Sequence, residues 1–301
     1  MKKIRKENSI AGPSKELYLL GIPVGIHGEE LAPEILKDEI KSLKQTCFSL
    51  VDLSNITKTP YLLHDSLLSD SAISLFKNSK NEGISCLSKA ELFCDHFYKE
   101  NPTKRLLCIG GDELSSYPPI KSWMKVKSNQ EINSALIQLT AVSSFLDLDE
   151  PFITSFEQFT KTSLPPLTPS LKITFSHSEF SKIILLEDEN LTLESLSHTL
   201  KDLFSENKIQ DLFLSINFNI IDHSYLKTTE NKNLKGLSPH QLCSFINIIA
   251  SRAKITAANF TAYSPLTKSG DITPLTPGNS CSILTARIIL GKVIEGMARW
   301  R

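Results

Sequence analysis

Two hydrophobic periods take turns along most of this chain, and that narrows the folds open to it. Short apolar runs with the look of buried strands are separated by longer segments with helical spacing. "ELYLLGIP" (16–23) reads as a strand running into a turn, and "LAPEILKDEIKSL" then places Leu31, Ile35, Ile40 and Leu43 at helical intervals. "CFSLVDL" is a second strand, and "LSKAELFCDHFYKE" is a helix in which Ser88 and Glu91 have the spacing of a capping box. "RLLCIGGDE" is a strand ending in a glycine pair, and "SALIQL" and "KIILLED" are further strands. "LTLESLSHTLKDLFSE" is a helix, "DLFLSINFN" a strand, and "LSPHQLCSFINIIASR" a helix that Ser238 and Pro239 start. "KITAANFTAY" is a strand, and "SCSILTARIILGKVIEGMARW" is a long closing helix. Strands and helices in turn predict a parallel sheet covered on both faces, a three-layer α/β/α fold.

Two stretches break the rhythm. Residues 147–176 contain "SLPPLTPS" and read as a long loop with a short strand in "LKITF". Residues 267–280, "TKSGDITPLTPGNS", are a second loop rich in turn residues. With no internal repeat and no low-complexity tract, the 301 residues suit a single domain over 1–301, with a flexible N-terminal arm at 1–15.

Lys plus Arg equals Asp plus Glu, 33 against 33, so no global basic field recommends nucleic acid as a partner. "KKIRK" near the start reads as a short solvated basic arm, with no apolar segment after it to make a signal peptide. No apolar run approaches the ~18 residues of a membrane span. Cys47, Cys86, Cys94, Cys108, Cys243 and Cys281 lie far apart without a C-x-x-C pair, and read as reduced core residues of a cytoplasmic protein.

In an open parallel sheet, ligands gather outside the carboxyl ends of the strands. The residues expected there are Gly110-Gly111-Asp112-Glu113, Thr140-Ala141-Val142-Ser143-Ser144, Asn217-Phe218-Asn219 and Ala262-Tyr263-Ser264-Pro265. Their order and spacing resemble the ureohydrolase family of arginase, agmatinase and formimidoylglutamase. That family's pattern runs G-G-D-H, D-A-H-x-D, S-x-D-x-D-x-x-D-P, G-G-L-x-x-x-E and E-x-N-P. Here "IGGDEL" matches the first except at its His, and "LTAVSS" the second at its Ala. "SINFNIIDHS" matches the third at Ser215 and Asp222, "KGLSPHQ" the fourth at Gly236 and Leu237, and "AYSP" the last at Pro265. The opening "GIPVGIHGEELAPEIL" is also similar to the family's first strand and turn. The resemblance covers the chain from about Leu19 to its end and implies an arginase-like domain with a mainly parallel sheet of about eight strands.

The departures from the pattern carry the functional reading. The family holds two Mn²⁺ ions with His and Asp side chains. The corresponding positions here are Glu113, Thr140, Val142, Ser144, Asn217 and Asn219, and only Glu113 keeps a carboxylate. Hard divalent ions need charged oxygen or imidazole donors, and about −1 of charge faces the roughly +4 of two ions. Without the ions there is no metal-activated hydroxide. Asn is nearly isosteric with Asp, so Asn217 and Asn219, two apart in the expected strand, keep hydrogen bonds at the strand end while removing repulsion between carboxylates. The substrate side is altered too: Ala262 stands at the Glu of E-x-N-P, Gln241 at the Glu closing the fourth motif, and 145–176 hold neither Asn nor His.

These positions predict a catalytically inactive, metal-free ureohydrolase-like protein, without cofactor, acting as a binding or oligomer-partner subunit. A small amine or amino acid is the ligand class for its old pocket. As the resemblance implies, its assembly is a homo-oligomer, trimer or hexamer, or a hetero-oligomer with an active paralogue. The alternative is an active, manganese-dependent C–N hydrolase with an altered site. For the remaining polar residues plainer roles are expected. Asp112 fixes local backbone, Glu113 is a hydrogen-bonded rim residue, His27 and Asp222 serve a turn and a strand end, and Cys281 serves the core or a cap. A new metal site from His96, Cys108 and Glu113 has no support in their spacing.

Overall fold

Eight strands form one sheet in the order β2-β1-β3-β10-β9-β4-β7-β8 in the computed structural model of the chain. The structure describes residues 16–23, 31–43, 48–56, 86–141, 144–146, 159–161, 169–175, 181–186, 192–226, 235–264 and 277–300. The expectations for the 1–15 arm and for His27, Cys47, Val142 and Pro265 lie outside them. The strands are β1 (Glu16–Ile22), β2 (Ser49–Asn55), β3 (Arg105–Gly110), β4 (Ser134–Thr140), β7 (Ser170–Phe175), β8 (Ser181–Leu185), β9 (Asp211–Asn217) and β10 (Lys254–Thr261). Six of them, from β2 to β4, run parallel. Then β7 turns antiparallel to β4, and β8 antiparallel to β7. The described helices are α1 (Ala32–Ser42), α2 (Cys86–Glu100), α3 (Tyr117–Asn129), α4 (Leu193–Glu206), α5 (Pro239–Arg252) and α6 (Pro277–Ala298).

Two apolar clusters place the helices. One face of the sheet buries Leu107, Ile137 and Leu214 against Leu36 of α1, Leu200 of α4, Ile246 of α5 and Val293 of α6. The opposite face buries Leu106, Leu136 and Phe213 against Cys94 and Phe97 of α2 and Ile120 and Trp123 of α3. These side chains are almost wholly removed from water, each contributing about 2 kcal/mol of hydrophobic stabilisation. The expected three layers are present, with helices on both sides of a mostly parallel sheet.

Helix starts follow local chemistry. Thr192 caps α4 with Ser195 in a reciprocal capping box, and Ser238 caps α5 in the same way with Gln241, followed by Pro239 at the first helical position. The expected Ser88–Glu91 box does not form, because α2 already begins at Cys86. Glu91 instead reaches α3, where its carboxylate pairs with Lys121 at 2.7 Å. Helix α3 itself escapes the periodicity reading. It opens Tyr117-Pro118-Pro119, and paired prolines suggest a loop, yet both fit the first turn, where backbone N–H groups have no helical partner.

The stretch read as a long loop holds more order than expected. Residues Phe159–Lys161 (β6) pair antiparallel with Ser144–Leu146 (β5) as a separate two-stranded ribbon, and β7, where a short strand was expected, joins the main sheet. The cysteines are less uniform than expected. Cys94 and Cys108 are buried, Cys243 is half-buried, and Cys281 is exposed near the start of α6, so it is no core residue.

Candidate functional site

The face of the sheet under α2 and α3 changes character along the strands. Register places Tyr18, Leu106, Ala257, Phe213 and Leu136 side by side across β1, β3, β10, β9 and β4. Two residues further on, the row is Leu20, Cys108, Asn259, Ser215 and Gln138. One more step of two brings Ile22, Gly110, Thr261, Asn217 and Thr140 to the carboxyl edge. An apolar row thus gives way to a mixed one and then to a mostly polar one. Asn259, Thr261, Asn217 and Thr140 are all at most 6% exposed. Sequence reasoning passed over Asn259 and Thr261, although their period-two alternation in "AANFT" puts both on one strand face.

Gly110 ends β3 and leaves no room for a side chain: a Cβ there would stand 1.8 Å from Ser115 Oγ and 3.2 Å from Thr261 Cγ2. Beyond it the chain enters a short 3₁₀ turn, Glu113–Ser116, capped by the Asp112 carboxylate, which accepts from Ser115 N–H at 3.3 Å. Asp112 therefore has the backbone-fixing role expected of it. The turn places Glu113 at the rim, where its Oε1 accepts a hydrogen bond from Asn217 Nδ2 at 2.5 Å.

The expected strand does not continue to Asn219. β9 ends at Asn217, whose Oδ1 accepts from Asn219 N–H at 2.8 Å and folds Phe218–Ile220 into another 3₁₀ turn. The two amides consequently do not alternate as strand neighbours; the side chain of the first binds the backbone of the second. After this turn, Leu237 N–H donates to Ile220 O at 2.8 Å and Asp222 N–H to Leu237 O at 3.0 Å. Gly236 permits that approach, since a Cβ would lie 2.2 Å from the Asp222 nitrogen. Asp222 stabilises its own turn, accepting from Ser224 N–H at 2.8 Å.

Glu113, Asn217, Asn219 and Thr140 are thus drawn to one edge, Asn217 and Thr140 lying one step past the Ile216–Leu139 pair. Ser144 opens β5 four residues after Thr140. Ala262 follows β10 at the same edge with φ 62°, and its N–H donates to Gly111 O at 2.6 Å. Gln241 is occupied at the start of α5, where its Oε1 accepts from Ser238 N–H and Oγ, both at 2.9 Å.

Among the described residues, no group of three or more His, Cys, Asp or Glu is placed to hold a metal ion. Cys108 is buried a row below the edge, and His96 is exposed on α2, so they do not meet Glu113 in a ligand set. Burial pushes the Cys94 thiol well above its ordinary pKa, and pushes the Tyr263 hydroxyl up as well. Neither supplies a nucleophile at neutral pH.

No protein-family model matches the sequence, and no curated protein matches it significantly. Solved structures do match its fold. An arginase from Entamoeba histolytica in complex with L-ornithine superposes with a TM-score of 0.59 at 11% identity, covering 93% of this chain and 99% of that one. A formiminoglutamase from Trypanosoma cruzi with Mn²⁺ gives 0.58 at 11% identity, covering 96% and 94%. A formimidoylglutamase from Bacillus subtilis gives 0.55 at 14% identity, covering 96% and 89%. With its eight-stranded, mostly parallel sheet between two helical layers, this chain has the ureohydrolase fold.

Proposed function

We propose that the chain is a catalytically inactive, metal-free protein on the ureohydrolase fold, acting as a binding or oligomer-partner subunit. The observation that carries this reading is the hydrogen bond from Asn217 to Glu113. The two side chains that would face a metal pair across the strand ends satisfy each other. The donors present do not fit two divalent ions: Glu113 is the single carboxylate among the six corresponding positions, and Asn217 Oδ1 is held by a turn. The edge is built for hydrogen bonding, from Thr140, Asn217, Thr261 and Glu113. One carboxylate among neutral amides and hydroxyls suits a small amine or an amino acid as ligand.

The oligomer part of the proposal draws on α6. Leu284 and Ile288 lie one turn apart and are 56% and 51% exposed, beside Tyr225 at 45%. The Tyr225 carbonyl accepts from Thr285 Oγ1 at 3.3 Å, so the Tyr225 backbone lies against α6. Large apolar side chains left exposed near one helix face are candidates for an association surface. The trimer, hexamer or mixed oligomer belongs to the same proposal, as does a cytoplasmic location, with which the free thiols of Cys94, Cys108, Cys243 and Cys281 agree.

Metal analysis decides the central point. Protein produced with added Mn²⁺ and then dialysed is expected to retain far less than one equivalent. About two tightly held ions per chain, the number a two-metal hydrolase uses, would return the reading to a manganese-dependent C–N hydrolase. Light scattering tests the assembly, and a mass of one chain at working concentration would remove the oligomer part.

A further inference from the structure

Lys201, Lys208 and Arg252 line one cleft of about 420 Å³, together with Phe204, Ser205 and Ser251. The cleft lies where α4 and α5 end and β9 and β10 begin, at the sheet edge opposite the candidate site. Among the described residues no carboxylate lines it; Asp202 and Glu206 of α4 are exposed outside the lining.

Cations near helix ends commonly serve the terminal carbonyls. Here five of those carbonyls have other donors. Leu203 O accepts from Asn207 N–H at 3.2 Å and Asn207 Nδ2 at 2.8 Å, Phe204 O from Ile209 N–H at 2.9 Å, and Ser205 O from Lys208 N–H at 3.2 Å. In α5, Ile248 O accepts from Ser251 Oγ at 2.7 Å and Ile249 O from Ala253 N–H at 3.3 Å. Elsewhere lysines find acids, as Lys121 does with Glu91 at 2.7 Å and Lys125 with Asp95 at 3.1 Å. Lys201, Lys208 and Arg252 pair with no carboxylate among the described residues. Arg252 Nη2 donates to the neutral Ser197 Oγ at 2.5 Å, and its Nε is buried with no acceptor among the described residues.

The backbone is unusual at this end of α4, as it is at Glu131 at the end of α3. Lys208 has φ 51°, the left-handed conformation in which a helix end favours glycine. The bonds from Ile209 to Phe204 and from Lys208 to Ser205 are those of a Schellman turn, with lysine in the glycine position. The fold therefore carries a strained residue whose side chain lines the cleft.

We propose that this cleft binds a small multivalent oxyanion of the phosphate class, a phosphate monoester or a diphosphate. Arg252 and the two lysines supply charge-assisted hydrogen bonds, and the Ser205 hydroxyl supplies a neutral one. The volume falls in the range of small-molecule pockets, so an organic group fits beside the phosphate.

The experiment is calorimetric titration of the full chain at low salt with inorganic phosphate, inorganic pyrophosphate and glycerol phosphate. Saturable binding of one anion per chain is expected, weakening as salt rises. Lys208→Gly and Arg252→Gln are each expected to lower affinity about tenfold. Lys99→Gln, at an exposed lysine on α2, leaves it unchanged. Lys208→Gly also relieves the left-handed residue, so its melting temperature holds or rises while binding falls, which separates a binding defect from unfolding. Glycerol phosphate binding more tightly than inorganic phosphate assigns the site to an ester, and the reverse order assigns it to free phosphate or diphosphate. Absence of saturable binding by all three anions, or binding that the Lys208 and Arg252 variants leave unchanged, overturns the proposal.

Discussion

Asn217 Nδ2 donates to Glu113 Oε1 at 2.5 Å across the end of β10, which lies between the strands that carry them. The bond joins the end of β9 to the turn after β3, 104 residues apart in sequence. An amide is required there as the donor, because a carboxylate at 217 would face another.

Asn217→Asp should therefore destabilise the protein at neutral pH, by about 2 kcal/mol from the lost donor and the like charge. The introduced carboxyl has its folded pKa raised above its unfolded value. The penalty is full above that raised pKa and fades as pH falls through it. The double variant with Asn219→Asp should behave the same way and hydrolyse neither arginine, agmatine nor formimidoylglutamate. Melting curves across pH check this; a variant as stable as the parent at neutral pH would show that the pair is not closed in solution.

Ser238 and Gln241 cap α5 reciprocally, with Gln241 N–H donating to Ser238 Oγ at 3.2 Å. Ser238→Ala is expected to cost about 1 kcal/mol. Gln241→Glu should be close to neutral, since a carboxylate accepts the same two bonds and suits a helix N-terminus. A Gln241→Glu variant that melted well below the parent would place a nearby negative group against this position.

Lys127 and Asp211 form a buried ion pair at 2.6 Å, with side chains 5% and 12% exposed. Removing one partner leaves a buried charge, so Asp211→Ala should cost about 3 kcal/mol. Replacing both with apolar residues of similar volume should lie closer to the parent than the single variant does. Denaturant midpoints of the set measure the difference, and equal losses for the single and double variants would contradict the stranded-charge account.

Asp52 predicts how the protein responds to acid. Burial alone would raise its pKa, but hydrogen bonds from Lys37, Lys41 and Ser54 N–H outweigh it and hold the carboxyl down to about 2. A depressed folded pKa contributes stability above the unfolded value of about 3.9, lost as pH falls toward the folded one. Asp52→Asn should accordingly be less stable than the parent at neutral pH, with the gap narrowing between about pH 4 and pH 2. A gap that stayed constant through that window would assign the loss to packing.

The legible part of the fold was the part written in period. β3, β4, β9 and β10 are buried along nearly their whole length and read as short, strand-like apolar stretches with a few polar residues among them. The Ser238-Pro239 start of α5 was equally plain, because its capping chemistry is local in sequence. What stayed hidden depends on partners distant in the chain. Glu91 spaces correctly for a cap but is drawn to Lys121 on the next helix. β8 lies antiparallel to β7, and an apolar run by itself carries no direction. Near the site, the residues at the carboxyl edge followed from strand ends in sequence order. The turn at Asn219 and the bond to Glu113 did not, since both depend on what the amide at 217 meets in space.

The hydrogen bonds from Ala262 N–H to Gly111 O and from Gly111 N–H to Ile22 O, at 2.6 and 3.1 Å, each fall just past the end of a strand ladder. They stitch the termini of β1, β3 and β10 into a single plate beneath the polar edge. Amides in such a plate open only with the sheet itself, so those of Gly111 and Ala262 belong among the slowest to exchange with solvent. A molecule settling on that edge meets a floor already fixed in shape, and the entropy lost on binding falls on the guest and the rim side chains.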